Sequence, residues 1–322
     1  MTYQGGVSAP PHIDEAETRM PQITANGIDL YFEDAGDPAA PAILLIMGLG
    51  RQIIAWPPDF IADLVERGFR VISFDNRDVG LSTHLDAAPV RNLAVAIGAQ
   101  VLGIRLKPAY SLTDMADDAL ALLDALGLAR AHVVGVSMGG MIAQIIAASA
   151  PERTLSLTSI MSTSGARGLP GASPALRRQL IAPRNEANAI AHDIRVLELT
   201  SFPDPARPAG AFADFAARSH ARASNPRGVQ RQLLAILADG SRAARLAGIT
   251  APTLVIHGAA DPLVPAAGGR DTAARINDAR FELIEAMAHD LPPSQLPRLA
   301  ALIADHAAAA NITPVAAASL AD

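Results

Sequence analysis

The run Gly135-Val136-Ser137-Met138-Gly139-Gly140 sets a serine between glycines two positions away on either side. An apolar β-type run, Ala131 to Val136, precedes it, and a helical pattern begins at Met138. A nucleophilic hydroxyl must be exposed on a sharply bent backbone, and small neighbours permit that bend. A helix starting there also turns backbone N–H groups and a positive dipole end toward a developing oxyanion. The chemistry this suits is nucleophilic acyl transfer at Ser137; the alternative is a glycine-rich packing turn.

Such a serine needs a base. Of the eight histidines, His289 lies between the last expected strand and the last expected helix, in Ala286-Met287-Ala288-His289-Asp290-Leu291-Pro292. His257 ends its own strand and is expected to face a different wall. His132 begins the serine strand at the wrong edge, His192 and His220 fall in an irregular stretch, and His12 and His306 lie near the ends. The base needs a carboxylate to fix its tautomer. Asp261 follows the strand Pro252–His257, whereas Ser162-Thr163-Ser164-Gly165, after the preceding strand, offers no acid. An Asp-Pro pair also marks ordinary turns, but the order serine, aspartate, histidine is one known for triads on a strand–turn–helix serine.

A tetrahedral oxyanion needs two donors. One is the backbone N–H of Met138. The other is expected from Met47-Gly48-Leu49-Gly50, after the strand Ala42–Met47. Leu49 N–H is the expected donor, with Gly48 and Gly50 as loop support or fallback. A dinucleotide fingerprint is a poor reading of this loop, because Ile53 stands where the third glycine belongs.

These residues need elements to hold them. Gln22 to Asp34 reads as a hairpin about Asn26-Gly27. Buried-type strands are expected at Ala42–Met47, Phe69–Phe74, Ala131–Val136, Leu155–Met161, Pro252–His257 and Arg280–Glu285. Helices are expected at Pro58–Arg67, from Ser111 to about Leu126, at Met138–Ser149, at Pro265–Ile276 and at Pro292–His306. The alternation stops at Gly165 and resumes after Gly248. The pattern is an α/β doubly wound, mostly parallel sheet with an inserted helical module, and its site belongs at the carboxyl ends of the strands.

Composition narrows the class. Half of the 322 residues are hydrophobic and 18% charged, enough apolar material for a large core. The net charge of −6 gives no basic footprint for nucleic acid. There is no cysteine, hence no disulfide, thiol nucleophile or thiolate metal site. No metal or organic cofactor is called for by the acyl-transfer reading. Residues 1–20 lack the pattern of a signal peptide, and Leu93 to Ile104, the longest nearly apolar run, is too short to span a membrane. A cytoplasmic protein is the default expectation; a homo-oligomer is compatible with the sequence.

Together these residues resemble the α/β-hydrolase superfamily over about Gln22 to Ala309, and in detail the aclacinomycin methylesterase-like carboxylesterases. The resemblance rests on Leu45-Ile46-Met47-Gly48-Leu49-Gly50, Ala55-Trp56-Pro57, Phe74-Asp75-Asn76-Arg77-Asp78-Val79-Gly80-Leu81-Ser82, His132-Val133-Val134-Gly135-Val136-Ser137-Met138-Gly139-Gly140 and Pro252-Thr253-Leu254-Val255-Ile256-His257-Gly258. It implies a triad of Ser137, Asp261 and His289, oxyanion donors at Leu49 and Met138, and a mostly helical cap. The divisions expected are a flexible leader (1–20), a hydrolase core (21–164 and 249–309), the cap (165–248) and a tail (310–322). Two departures stand out: Met47-Gly48 where many relatives have His-Gly, and Ala286-Met287-Ala288-His289 where many have Gly-x-Gly-His.

The implied function is hydrolysis of small to medium carboxylic esters without a cofactor. A methylesterase on a polyketide-like acid, a carbon–carbon bond hydrolase and a perhydrolase are alternatives with the same triad; a non-catalytic ligand receptor is an alternative of another class. The cap holds twelve arginines, no lysine and six acids, a net +6 that leaves −12 to the rest. Its arginines form either a cationic roof that attracts anionic substrates or a solvated helical face. Leu93–Leu106 reads as a flap or a buried helix. Phe202, Phe212 and Phe215 suit cap core better than substrate contact, and Trp56 packs under the oxyanion loop or faces the acyl pocket.

Overall fold

The computed structural model describes residues 21–90, 95, 96, 98, 102, 104, 106–180 and 186–312. The expected leader, and the tail from 313, lie outside the described residues. So does most of Leu93–Leu106; of its described residues, Val95, Leu102 and Ile104 are exposed.

Strands β1 (Gln22–Ala25) and β2 (Ile28–Ala35) form the hairpin. Its two central residues, Asn26 and Gly27, have φ of 49° and 75°, the left-handed pair that matches strand twist in a two-residue turn. The apolar runs become β3 (Ala42–Ile46), β4 (Arg70–Phe74), β5 (Ala131–Val136), β6 (Thr154–Ile160), β7 (Thr253–Gly258) and β8 (Arg280–Ile284). They build an eight-stranded sheet in the order β1-β2-β4-β3-β5-β6-β7-β8. The β1–β2 and β2–β4 pairs are antiparallel and the rest parallel.

Every residue of β3, β5 and β7 is buried, because both sheet faces are covered. Leu44, Ile46, Val133 and Leu157 point to one face, against helices α2 (Leu112–Ala125) and α3 (Met138–Ser149). Ile43, Leu45, Val134, Val136 and Ile256 point to the other, against α1 (Pro58–Glu66) and α10 (Leu296–Ile312). The sheet's period of two thus sorts one apolar run into two cores. Helix α2 starts where Ser111 Oγ accepts from Asp114 N–H and the Asp114 carboxylate accepts from Ser111 N–H, a reciprocal cap of about 1 kcal/mol.

Between β6 and β7 the described residues form no strand but helices α4 (Pro174–Leu180), α5 (Ala189–Thr200), α6 (Ala211–Arg222), α7 (Pro226–Asp239) and α8 (Ala243–Leu246). Helix α9 (Ala267–Ala274) follows β7. The insertion sits over the carboxyl ends of the strands. Its arginines divide: some face solvent, as expected of a solvated face, and others are used in ion pairs that neither expectation foresaw. Arg231 meets Asp78 through two 2.7 Å bonds with both side chains fully buried. Arg222 meets Asp75 at 2.7 Å, and Arg207 meets Asp290 at 2.5 Å. Arg242 pairs with Asp239 inside the insertion. Arg231 and Arg242 are buried and Arg207 and Arg222 half-buried; three of the four fasten the insertion to the sheet domain's loops, while Arg167, Arg177, Arg178, Arg218, Arg227 and Arg245 face solvent. Trp56 is 1% exposed and stacks on Phe60 at 5.6 Å, so it packs into the core beside Met47. Phe202, Phe212 and Phe215 are half-buried, with Arg207 over Phe212 and Arg51 over Phe215. No described helix is long and apolar enough to cross a membrane.

Candidate active site

Strand β5 is central in the parallel part of the sheet, and Ser137 stands at the turn from its end into α3. Ser137 has φ 56° and ψ −117°, a costly conformation for a residue with a Cβ. Its surroundings hold it there. Ser137 N–H donates to Ile160 O at 2.9 Å, and Ser137 O accepts from Ser162 Oγ at 2.8 Å. Gly135 and Gly139 allow the tight turn: a Cβ on Gly135 would collide with the Gly139 carbonyl, and one on Gly139 with the Ile46 carbonyl of β3. Small residues flank the serine because strand, helix and neighbouring strand meet there backbone to backbone.

His289, from the loop after β8, lies 3.0 Å from Ser137 Oγ through Nε2 and 2.7 Å from Asp261 Oδ2 through Nδ1. An ionised carboxylate only accepts, so Nδ1 carries the proton and Nε2 accepts from the serine hydroxyl. The Asp261 side chain is fully buried and the His289 side chain is 9% exposed. Asp261 Oδ1 accepts from Leu263 and Val264 N–H, which squares the carboxylate to the imidazole. Burial alone would raise the Asp261 pKa; the His289 charge, hydrogen bonds from His257 and His289, and the Val264 N–H outweigh it and lower it to about 2.

His257 departs from its expected place. It is fully buried, donates from Nε2 to Val264 O at 2.7 Å, and sits 3.4 Å from Asp261 Oδ2. It is therefore a second imidazole on the same carboxylate. His132 is buried at the far end of β5, 2.9 Å from Ser156 Oγ, and His306 bonds Leu157 O and Pro252 O. The alanines before His289 cause no strain, since neither Ala286 nor Ala288 has a positive φ. The close approach in that region comes from Gly258, where a Cβ would collide with the Met287 and Ala288 carbonyls.

The loop after β3 closes the other side. A Cβ on Gly48 would lie 3.1 Å from Ser137 Cβ and 3.7 Å from its Oγ. Arg51 N–H donates to Gly48 O at 3.1 Å, making a tight turn with Gly50 at φ 64° in its third position. Among the described residues no acceptor meets the N–H of Leu49 or of Met138. The Gly50 N–H is different: it donates to Gln232 Oε1 at 2.9 Å. Gly50 is thus support for the loop and not a free donor. The residues that sequence reasoning missed are those reaching in from the insertion and from the Asp75–Ser82 loop. Gln52 donates to Ser219 and Ala223 O, Asp75 accepts from Ile53 and Leu81 N–H, and His289 N–H donates to Thr200 O. A signal existed: positions 228, 231, 232 and 235 form one helical face of α7, and Arg231 and Gln232 are its two polar members. Among the described residues no group of three or more His, Asp or Glu is placed to hold a metal ion.

The family model described as "alpha/beta hydrolase fold" matches residues 41–293. The chain is 34% identical to a rhodomycin D methylesterase of Streptomyces sp. (strain C5), over 92% of this chain and 99% of that protein. It is 33% identical to a rhodomycin D methylesterase of Streptomyces peucetius, over 92% and 99%. Among solved structures, the meta-cleavage product hydrolase of Pseudomonas fluorescens IP01 superposes with a TM-score of 0.71 at 19% identity, covering 90% of this chain and 98% of that one. Matched along most of its length by the family model and nearly end to end by relatives above 30% identity, this chain belongs to the α/β-hydrolase fold family and is a hydrolase.

Proposed function

We propose that the protein is a serine carboxylic ester hydrolase with Ser137 as nucleophile, His289 as general base and Asp261 as orienting acid. The observation that carries this reading is the continuous hydrogen-bonded chain Ser137 Oγ–His289–Asp261, at 3.0 and 2.7 Å. His289 Nε2 takes the Ser137 proton as Oγ attacks the ester carbonyl carbon. The carbonyl oxygen becomes an oxyanion held by the N–H groups of Leu49 and Met138. His289 then protonates the departing alkoxide, and an alcohol leaves. Water attacks the acyl-enzyme with His289 again as base, releasing the acid and restoring Ser137. Asp261 stabilises the imidazolium in both steps. Every proton is carried by the protein or by water, and the insertion forms the roof that selects the acyl group.

The finer reading is a methyl ester of a bulky polycyclic acid. It is supported by the two methylesterases at 34% and 33% identity. The test is turnover of a p-nitrophenyl ester series and of an anthracycline-type methyl ester by wild type and by Ser137→Ala. The variant is expected to lose about 10⁴-fold or more in kcat. Undiminished turnover in Ser137→Ala would overturn the assignment, and p-nitrophenyl turnover without any methyl ester turnover would overturn the finer reading.

A further inference from the structure

We propose that Gln232, on α7 of the insertion, is a positioning residue for the oxyanion loop. The proposal rests on the reading of Leu49 N–H as a donor in ester hydrolysis. Gln232 is fully buried, and both ends of its amide are used. Oε1 accepts from Gly50 N–H at 2.9 Å, and Nε2 donates to Arg77 O at 2.8 Å. A backbone N–H only donates and a backbone carbonyl only accepts, so the orientation of the amide is fixed by its partners. Gly50 is the third residue of the turn that carries Leu49, and the turn has no other anchor at that N–H.

The anchor is itself rigid. Arg77, whose carbonyl holds Nε2, forms two 2.6 Å bonds to Asp118 on α2. Arg231, next to Gln232, is bonded twice to Asp78. Val229, one turn earlier on α7, lies against Gly50, where an added Cβ would stand 3.0 Å from Val229 Cγ2. A continuous path therefore runs from α2 through Arg77 and Gln232 to Gly50 and the turn beside Ser137. Without Oε1 the Gly50 N–H has no acceptor, and the turn is free to rotate toward water or into the site. Leu49 N–H then leaves the direction a tetrahedral oxyanion requires. Such a donor acts on charge that develops only in the transition state, so its loss appears in kcat more than in KM.

The experiment is Gln232→Met in the full-length chain, assayed on a p-nitrophenyl ester and against a trifluoromethyl ketone that forms a tetrahedral adduct with Ser137. With the variant shown folded at the assay temperature, kcat is expected to fall about 10- to 100-fold while KM stays within about threefold, a fraction of the loss from deleting a donor outright. Ketone affinity is expected to weaken by the same factor as kcat/KM. A purely structural role would lower the melting temperature and leave kcat and ketone affinity of the folded enzyme unchanged. Unchanged kcat in folded Gln232→Met, or lost kcat with unchanged ketone affinity, overturns the proposal. Wild-type amide exchange gives a second measurement that needs no variant: the Gly50 N–H is expected to exchange at least about 100-fold more slowly than a free amide, and exchange at the free rate overturns the proposal. Absence of Ser137-dependent turnover in the wild type would instead sink the reading of the site, and this proposal with it.

Discussion

Asp261 carries two imidazoles, and their effects differ. His289 links Asp261 to the Ser137 hydroxyl, while His257 stands behind the carboxylate with its Nε2–H directed to Val264 O. Asp261→Asn is expected to lower kcat by about 10⁴-fold, because an amide in that place stabilises the wrong imidazole tautomer; steady-state kinetics with the melting temperature checks this. The Asp261 pKa, lowered to about 2 from 3.8, adds stability that is complete above the unfolded value and lost as pH falls through about 2. His132, at the other end of β5, acts in a milder pH range, and burial lowers the pKa of His306 in the same direction. Burial first of all, and the neighbouring charges of His306 and Arg130, lower the His132 pKa from 6.5 to about 4. The unfolded chain therefore binds a proton that the folded chain refuses, and stability falls as pH drops from about 6.5 to about 4, by about 3 kcal/mol. Urea denaturation at several pH values is expected to show this slope in the wild type and a flatter one in His132→Gln. The meeting of Ser137, His289 and Asp261 was legible because each stands on the turn or loop after a strand, and a parallel sheet brings all such loops to one edge. His257 was misplaced because its partner lies four residues on, across a turn whose path depends on the Val264 carbonyl.

At the scale of elements, the turn from β5 into α3 is built from the absence of side chains. The Gly139 Cα faces the Ile46 carbonyl of the neighbouring strand, so Gly139→Ala must push β3 and α3 apart. It is expected to cost about 3 kcal/mol or to prevent folding, by denaturant midpoint, whereas Gly171→Ala, 3.7 Å from a flexible arginine tip, should be near neutral. The doubly wound order was readable from continuous apolar runs, and the α2 start from Ser111 and Asp114. The final helix begins later than expected, at Leu296, because Pro292 is extended and Pro293–Gln295 forms a single 3-10 turn first. The helices of the insertion were recognisable only as a class. Their packing is decided by polar residues on buried faces, which a search for apolar periodicity passes over.

For the whole molecule, charge is divided in sequence and reunited in the fold. The positive excess of 165–248 reads as a field for attracting anions or as a solvated face, yet Arg222, Arg231 and Arg207 are paired with Asp75, Asp78 and Asp290. Burial pushes the Asp75 carboxyl up despite Arg222, whereas Asp78, also raised by burial, ends lowered because Arg231 and the Leu85 N–H outweigh it. Asp78→Asn, which strands the Arg231 charge, is expected to cost about 3–5 kcal/mol in urea denaturation, and Asp78→Asn with Arg231→Met to recover at least half of that. The ion pairs were invisible in the sequence because their partners lie 147, 153 and 83 residues apart. They also set the unit in which such enzymes can be recombined. A foreign roof transplanted between β6 and β7 would leave three carboxylates without cations and the Gly50 N–H without an acceptor. If the insertion selects the substrate as proposed, a transplanted insertion has to bring with it the loops at 48–52, 75–85 and 289–290.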